Sequence, residues 1–281
     1  MEKKESDEFG SVESTHRLWI YFSNQVQILE RARIRALQEN AEIWSVITPL
    51  LYAIKDSCDS LSLLAQKGKT RDSFVLARTV YESIVNASFI FAKGFEAVER
   101  AKQHALQKSY RDTNRELEIN SNKLGLEWSG TVDLSKNPDL QSALARYTSK
   151  KGREITAWTP ETVKEQIEVI DSKYGAKVST GLQFALMAIY RHASDIGHGT
   201  LFGALFSLGL TSPAGPPKSP IELEKHQREN ISMLLMMLGL ALESLIEILA
   251  GELTMPEITI EAHKETQKLK EETWVKANNA T

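Results

Sequence analysis

The sequence predicts an all-α protein, a helical bundle with a partly irregular helical insertion. Two observations predict it. Apolar residues recur at helical spacing along most of the chain. No segment keeps strand alternation between turn signals.

The elements follow in order. Residues 1–15 are polar and charged, lack the apolar stretch of a secretory signal, and are expected to form a disordered tail. A single all-α domain is expected over 16–281. Residues 15–68 hold two long helices, broken near Gln38–Ala41. Pro49 kinks the second or marks its first turn, and Gly68 ends it. A strongly apolar helix runs from Arg71 and closes at Gly94. Residues 95–123 are charged with sparse apolar positions, which predicts a long solvated helix.

Gly, Pro, Asn and Ser punctuate the stretch that follows, an insertion at about 124–158 with one short helix at 138–147. Thr159 and Pro160 have the residue types of an N-cap and a first helical position. Another helix follows Gly175 and ends at Gly197 or Gly199. "LFGALFSLGL" is a short apolar segment, and 211–219 is a loop. Ser219, Pro220 and Glu222 form a capping-box pattern opening a helix over 220–250. A polar helix spans about 256–277.

Composition limits the function. The 281 residues carry 34 Lys and Arg against 37 Asp and Glu, a net charge of −3, which argues against a dedicated duplex-DNA binder. The single cysteine, Cys58, cannot form an internal disulfide, which fits a cytoplasmic protein. No Cys/His cluster has zinc-ligand spacing, and no Glu-x-x-His pair suggests a carboxylate-bridged metal centre. No metal or cofactor is therefore expected. Residues 231–250 are long enough to span a bilayer, but Glu243 and Glu247 inside them would be costly there. A buried central helix is expected, with Met233, Met236 and Met237 filling gaps in the core.

Chemistry concentrates in "AIYRHASDIGHGT", residues 188–200. On a helical wheel Val178, Leu182, Ala185, Leu186, Ile189, Ala193 and Ile196 form one apolar stripe. The opposite face carries Phe184, Met187 and Ala188, then Arg191, Ser194, Asp195 and His198. A helix apolar on both faces is expected to be buried, with its polar end at the rim of a cleft. Arg191 and His198 lie two turns apart on one face. Asp195, four residues from Arg191, has the spacing to hold the guanidinium. Arginine presents a planar fork suited to phosphate, and histidine exchanges a proton near neutral pH. The structural alternative is a pair of cations at a helix C-terminus.

"RHASDIGH" resembles the Arg-x(4–6)-His pattern of the HEPN superfamily, whose members are α-helical bundles. Many are metal-independent ribonucleases acting as toxins or in phage defence, often with the motif at a dimer interface. The resemblance implies a bacterial stress or defence ribonuclease in which Arg191 binds the phosphate and His198 is general acid and base. His192 stands where the pattern often has a polar residue. "LARTVYESIVNASFIF" and "YRHASDIGH" together resemble a family of uncharacterised bacterial helical proteins with Arg-x(3)-Glu and Tyr-x(3)-Ser-x(3)-His helices. The matching positions are Arg78, Glu82, Tyr190, Ser194 and His198, and the similarity spans roughly residues 40–250.

Arg78 and Glu82 are four residues apart on a face that also carries Phe74, Val85 and Phe89. Such a pair is expected to be partly buried, with His198 or Tyr190 completing its network. If truly buried, loss of Glu82 would cost on the order of 3–5 kcal/mol. Ser194 lacks a nucleophile-elbow context and is expected to form hydrogen bonds. His104 is expected at the surface. In the insertion, Arg146, Lys150, Lys151 and Arg153 lie near Tyr147 and Trp158, a combination suited to single-stranded nucleic acid. The functions left open are an RNA-cleaving homodimer and a non-catalytic regulatory or partner-binding module.

Overall fold

The computed structural model describes residues 9–127, 134–212 and 215–272. It is an all-α helical bundle with one small hairpin. Of the tail expected over residues 1–15, residues from Val12 onward are helical. Residues 1–8 lie outside the described residues, and helix α1 (Val12–Ala36) starts where the Ser11 hydroxyl caps the Ser14 N–H at 3.1 Å. Helix α2 (Trp44–Gln66) contains Pro49 near its start, and α3 (Thr70–Lys93) follows Gly68. Gly68 has φ +65°, the left-handed conformation of a helix C-terminus.

The chain divides into two compact units. One is built from the segments up to Ala92 and from Val163 onward; the other is Lys93–Thr162. The insertion read at 124–158 is thus the inner part of a larger unit. That second unit holds α4 (Phe95–Asp112), strands β1 (Asn114–Ile119) and β2 (Asn122–Glu127), and α5 (Pro138–Arg146). The solvated helix expected over 95–123 therefore stops at Asp112. Beyond it the strands pair antiparallel, with Leu117 opposite Leu124. Asn120 and Ser121 both take positive φ, 49° and 68°, which matches the twist of a two-residue hairpin turn.

Thr159 does not cap a helix. Its hydroxyl is used by the Glu161 carboxylate and lies 3.4 Å from an Arg100 guanidinium nitrogen. Helix α6 (Val163–Tyr174) starts four residues later, in the first unit.

The first unit continues with α7 (Ala176–Ala185), a π-helical turn (Leu186–Tyr190), α8 (Arg191–Gly197), α9 (Leu201–Ser207), α10 (Pro220–Glu252) and α11 (Pro256–Lys270). The capping box forms: Ser219 Oγ accepts from the Glu222 N–H, and the Glu222 carboxylate accepts from the Lys218 N–H at 2.6 Å. Helix α10 packs against α1, α7 and α11. Helices α3 and α10 are each long and apolar enough to cross a membrane, yet 61% and 67% of their apolar windows are buried inside the protein. Met233, Met236 and Met237 are only half-buried, so Leu234, Leu235 and Leu238 fill the core instead.

The most buried carboxylate of α10's apolar half, that of Glu243, is satisfied from α11. Glu243 lies 3.2 Å from His263 Nε2 and accepts from Thr266 Oγ1 at 2.5 Å. Burial pushes its carboxyl above the usual range, while Thr266 and His263 oppose the rise.

Candidate functional site

Helix α7 is pressed onto α10. A Cβ at Gly181 would stand 2.5 Å from the Leu240 carbonyl oxygen, so only glycine permits this approach. The contact buries Val178, Leu182 and Ala185, and the stripe continues through Ile189, Ala193 and Ile196; Leu186 is half-buried. The opposite face is not buried as expected. Phe184 is 46% exposed and Met187 71%, because α6 and α10 cover α7 from one side.

The π turn sits between this packed helix and the polar one. Such turns insert a residue and re-aim the helix that follows, often at functional sites. Helix α3 braces it. Tyr81 donates its hydroxyl to the Leu182 carbonyl at 3.0 Å and meets the Tyr190 ring edge-on at 6.4 Å. Burial pushes the Tyr81 phenol up, with Tyr190 and Glu82 adding to the effect, so it remains a donor. The Arg78 guanidinium lies 4.9 Å over the Tyr190 ring and donates to Glu82 at 2.8 Å. Burial lowers the Arg78 pKa, but the Glu82 hydrogen bond and charge outweigh it and hold the group above its ordinary value.

Tyr190 therefore completes the Arg78–Glu82 network, and His198 does not. His198 is exposed at the end of α8, where its N–H closes the helix on the Ser194 carbonyl at 3.0 Å. Arg191 is exposed as well, two turns away on the same helix. Among the described residues no ion pair joins Arg191 to Asp195, although the spacing allows it. The Asp195 backbone is engaged instead: its carbonyl accepts from Thr200 Oγ1 at 2.9 Å. Ser194 and Asp195 are half-buried.

Helix α9 returns against α8. Thr200 caps it by accepting from the Gly203 N–H, and a Cβ at Gly203 would stand 2.7 Å from the Asp195 carbonyl oxygen. This close packing brings aromatic rings onto His192, a role that the short apolar segment alone did not indicate. Phe206 stacks on His192 at 4.4 Å and 12°, and Phe74 meets Phe206 edge-on. The His192 Nδ1 atom is buried and has no hydrogen-bond partner among the described residues. Burial, reinforced by the Arg191 charge and opposed by Asp195, lowers the His192 pKa. Leu201 is 75% exposed, and Phe202, whose ring lies near-parallel to His192 at 6.5 Å, is exposed too.

In the second unit Arg146, Lys150, Lys151 and Arg153 are all exposed. Lys150 and Lys151 occupy a turn closed by the Thr148–Glu154 bridge, and Arg146 donates to Gln103 at 2.8 Å. Tyr147 is buried, with its hydroxyl 2.9 Å from the Arg100 carbonyl and 2.7 Å from that of Trp158. It is therefore not the stacking platform expected beside the cations. His104 is half-buried rather than superficial, with Nε2 3.0 Å from the Thr156 carbonyl. Cys58 is fully buried and its thiol is pushed up by burial, so it is no nucleophile. Among the described residues no three His, Cys, Asp or Glu side chains converge as a metal site requires.

Two stability effects follow. Arg78 and Glu82 side chains are 27% and 36% exposed. Solvent therefore screens the pair, and Glu82→Ala should cost about 1 kcal/mol, not the 3–5 kcal/mol of a sealed pair. Chemical denaturation measures this; a loss of about 3 kcal/mol or more would show that the pair is effectively sealed. His192, with its pKa lowered by folding, is protonated first in the unfolded chain. Its contribution is thus intact above roughly pH 6.5 and is lost as pH falls below that value. His192→Phe keeps the stack and should flatten this acid limb when denaturation midpoints at pH 7.5 and 5.5 are compared. Parallel pH profiles for the two proteins would contradict the burial account.

No curated protein and no solved structure matches the chain. A family model matches residues 45–214, more than half of the sequence. That segment contains both the α3 network and the whole of α8, and the chain belongs to DUF5677, a family of unknown function.

Proposed function

We propose that the protein is a metal-independent endoribonuclease of the HEPN kind, working as a homodimer, with Arg191 and His198 as the reacting pair. The observation that carries this reading is that both side chains stand exposed on one face of α8 while the adjacent Arg78–Glu82–Tyr190 network engages neither. Arg191 neutralises charge building on the phosphate oxygens. His198 takes the proton from the substrate's 2′-hydroxyl, whose oxygen attacks phosphorus. The bond to the 5′-oxygen breaks, and that oxygen takes a proton from a second acid.

Within one copy His192 is a poor source of that proton, because burial and Arg191 disfavour its charged form. His198 of a second copy is the better acid. The exposed Phe184, Met187, Leu201 and Phe202 lie to either side of the pair in sequence and offer the apolar surface such a copy would cover. Lys150, Lys151 and Arg153 supply a docking surface for the RNA backbone. In this reading α3 and α10 are core helices of a cytoplasmic protein, and the role is the stress or defence role that the HEPN resemblance implies. The same apolar surface favours a second reading, a non-catalytic module that binds a partner protein there.

Purified protein incubated with mixed RNA in EDTA separates the two. The wild type should cleave RNA and spare DNA, and Arg191→Ala and His198→Ala should each lose about 100-fold or more in rate. Light scattering should report a dimer at micromolar concentration. A dimer without activity would favour the partner-binding reading, and activity that survives both substitutions would rule out Arg191 and His198 as the reacting pair.

A further inference from the structure

A cleft of about 860 Å³ opens between the start of α1, the end of α2 and the first half of α10, and it shares no residue with the Arg191–His198 face. Its size suits a small molecule. Ile231 and Leu235 form a buried apolar floor, with the half-buried Trp19 beside them. The indole N–H is already spent on Ser62 Oγ at 2.7 Å, so what Trp19 has left to offer is its ring. The His16 ring lies parallel to it, 10° from coplanar at 6.0 Å. This arrangement favours a flat apolar body.

The rim carries charge. Arg228 is held in place from two sides: Nε donates to the Gly10 carbonyl at 3.1 Å and Nη1 to Glu224 at 2.6 Å. Gly10 can present that carbonyl because it takes φ +83°, and a Cβ there would strike the Glu229 side chain. The third guanidinium nitrogen, Nη2, has no hydrogen bond or ion pair among the described residues, and neither does Lys67 Nζ at the end of α2. Two cations against Glu224 leave about one positive charge. The negative end of α2 faces the same rim and adds to the cost of a second anionic group.

We propose that this cleft binds a small, flat, apolar monoanion, with its rings on Trp19, Ile231 and Leu235 and its carboxylate on Arg228, in the positive field of Lys67. A polyphosphate is a poor fit, because its additional charges meet Glu224 and the α2 carbonyls. The ligand links α1, α2 and α10, so its binding stabilises the first unit, by an amount that grows with the logarithm of its concentration above Kd.

Isothermal titration calorimetry on the full chain tests the proposal with 2-naphthoate and its neutral analogue 2-naphthamide as probes. The carboxylate should bind about tenfold or more tightly than the amide, since it gains a charge-assisted bond to a preset guanidinium. Arg228→Gln should abolish that preference. Lys67→Gln, which breaks no side-chain contact among the described residues, should reduce it about two- to fivefold, and so decides the matter even if the Arg228 variant folds poorly. Equal binding of the two probes, no binding of either at millimolar concentration, or an unchanged preference in Lys67→Gln would overturn the assignment.

Discussion

Helix α10 has to be covered on most of its sides, and the rest of the first unit is arranged to do that. Its apolar residues repeat so densely that one neighbour would leave much of the helix in water, at a cost of roughly 25 cal/mol for each Å² of apolar surface. Helices α1, α7 and α11 share the task. Two glycines set how closely they approach. At Gly239 a Cβ would lie 2.2 Å from the Tyr21 ring, and at Gly181 it would lie 2.5 Å from the Leu240 carbonyl. Close-packed interiors tolerate little displacement, so the first approach fixes the line of α1 and the second that of α7. Once that line is fixed, Phe184 and Met187 are left facing outward.

The π turn at Leu186–Tyr190 links this packing to the exposed polar helix α8. Helix α7 is committed to α10, whereas α8 is committed to α9 through Gly203. A one-residue insertion lets one continuous helix satisfy both partners. Helix α3 stabilises the turn from the side: Tyr81 holds a carbonyl of α7, and Arg78, itself held by Glu82, lies over Tyr190. The residue after Tyr190 is Arg191. The network therefore fixes the start of the polar helix without engaging the Arg191 or His198 side chain.

Much of this was legible in the sequence, and the failures share a cause. Helical periodicity with Gly68, Gly94 and the Ser219 capping box placed most of the helices, because those signals act within a turn or two of chain. The i, i+4 spacing of Arg78 and Glu82 pointed to their pair for the same reason. The hairpin was missed because "RELEI" is short and charged, and its turn uses Asn120–Ser121 in place of the stronger Asn-Gly signal. Thr159 has the right type for an N-cap, but Glu161 and Arg100 compete for its hydroxyl. The π turn, the open face of Phe184, the burial of Tyr147 and the stacking of His192 on Phe206 are all decided by which element packs alongside. Nothing in the local residue order marks them.

In the proposed mechanism Arg191 and His198 form a working pair at the end of α8, with the substrate's own hydroxyl as nucleophile. The chemistry of the cleaved ends tests that most directly. Mass spectrometry of RNA fragments made in EDTA should find 2′,3′-cyclic phosphate on one side of the break and a 5′-hydroxyl on the other. Fragments ending in a 3′-hydroxyl would mean that water, not the 2′-oxygen, attacked phosphorus, and would contradict the assignment of His198 as the base that activates the substrate.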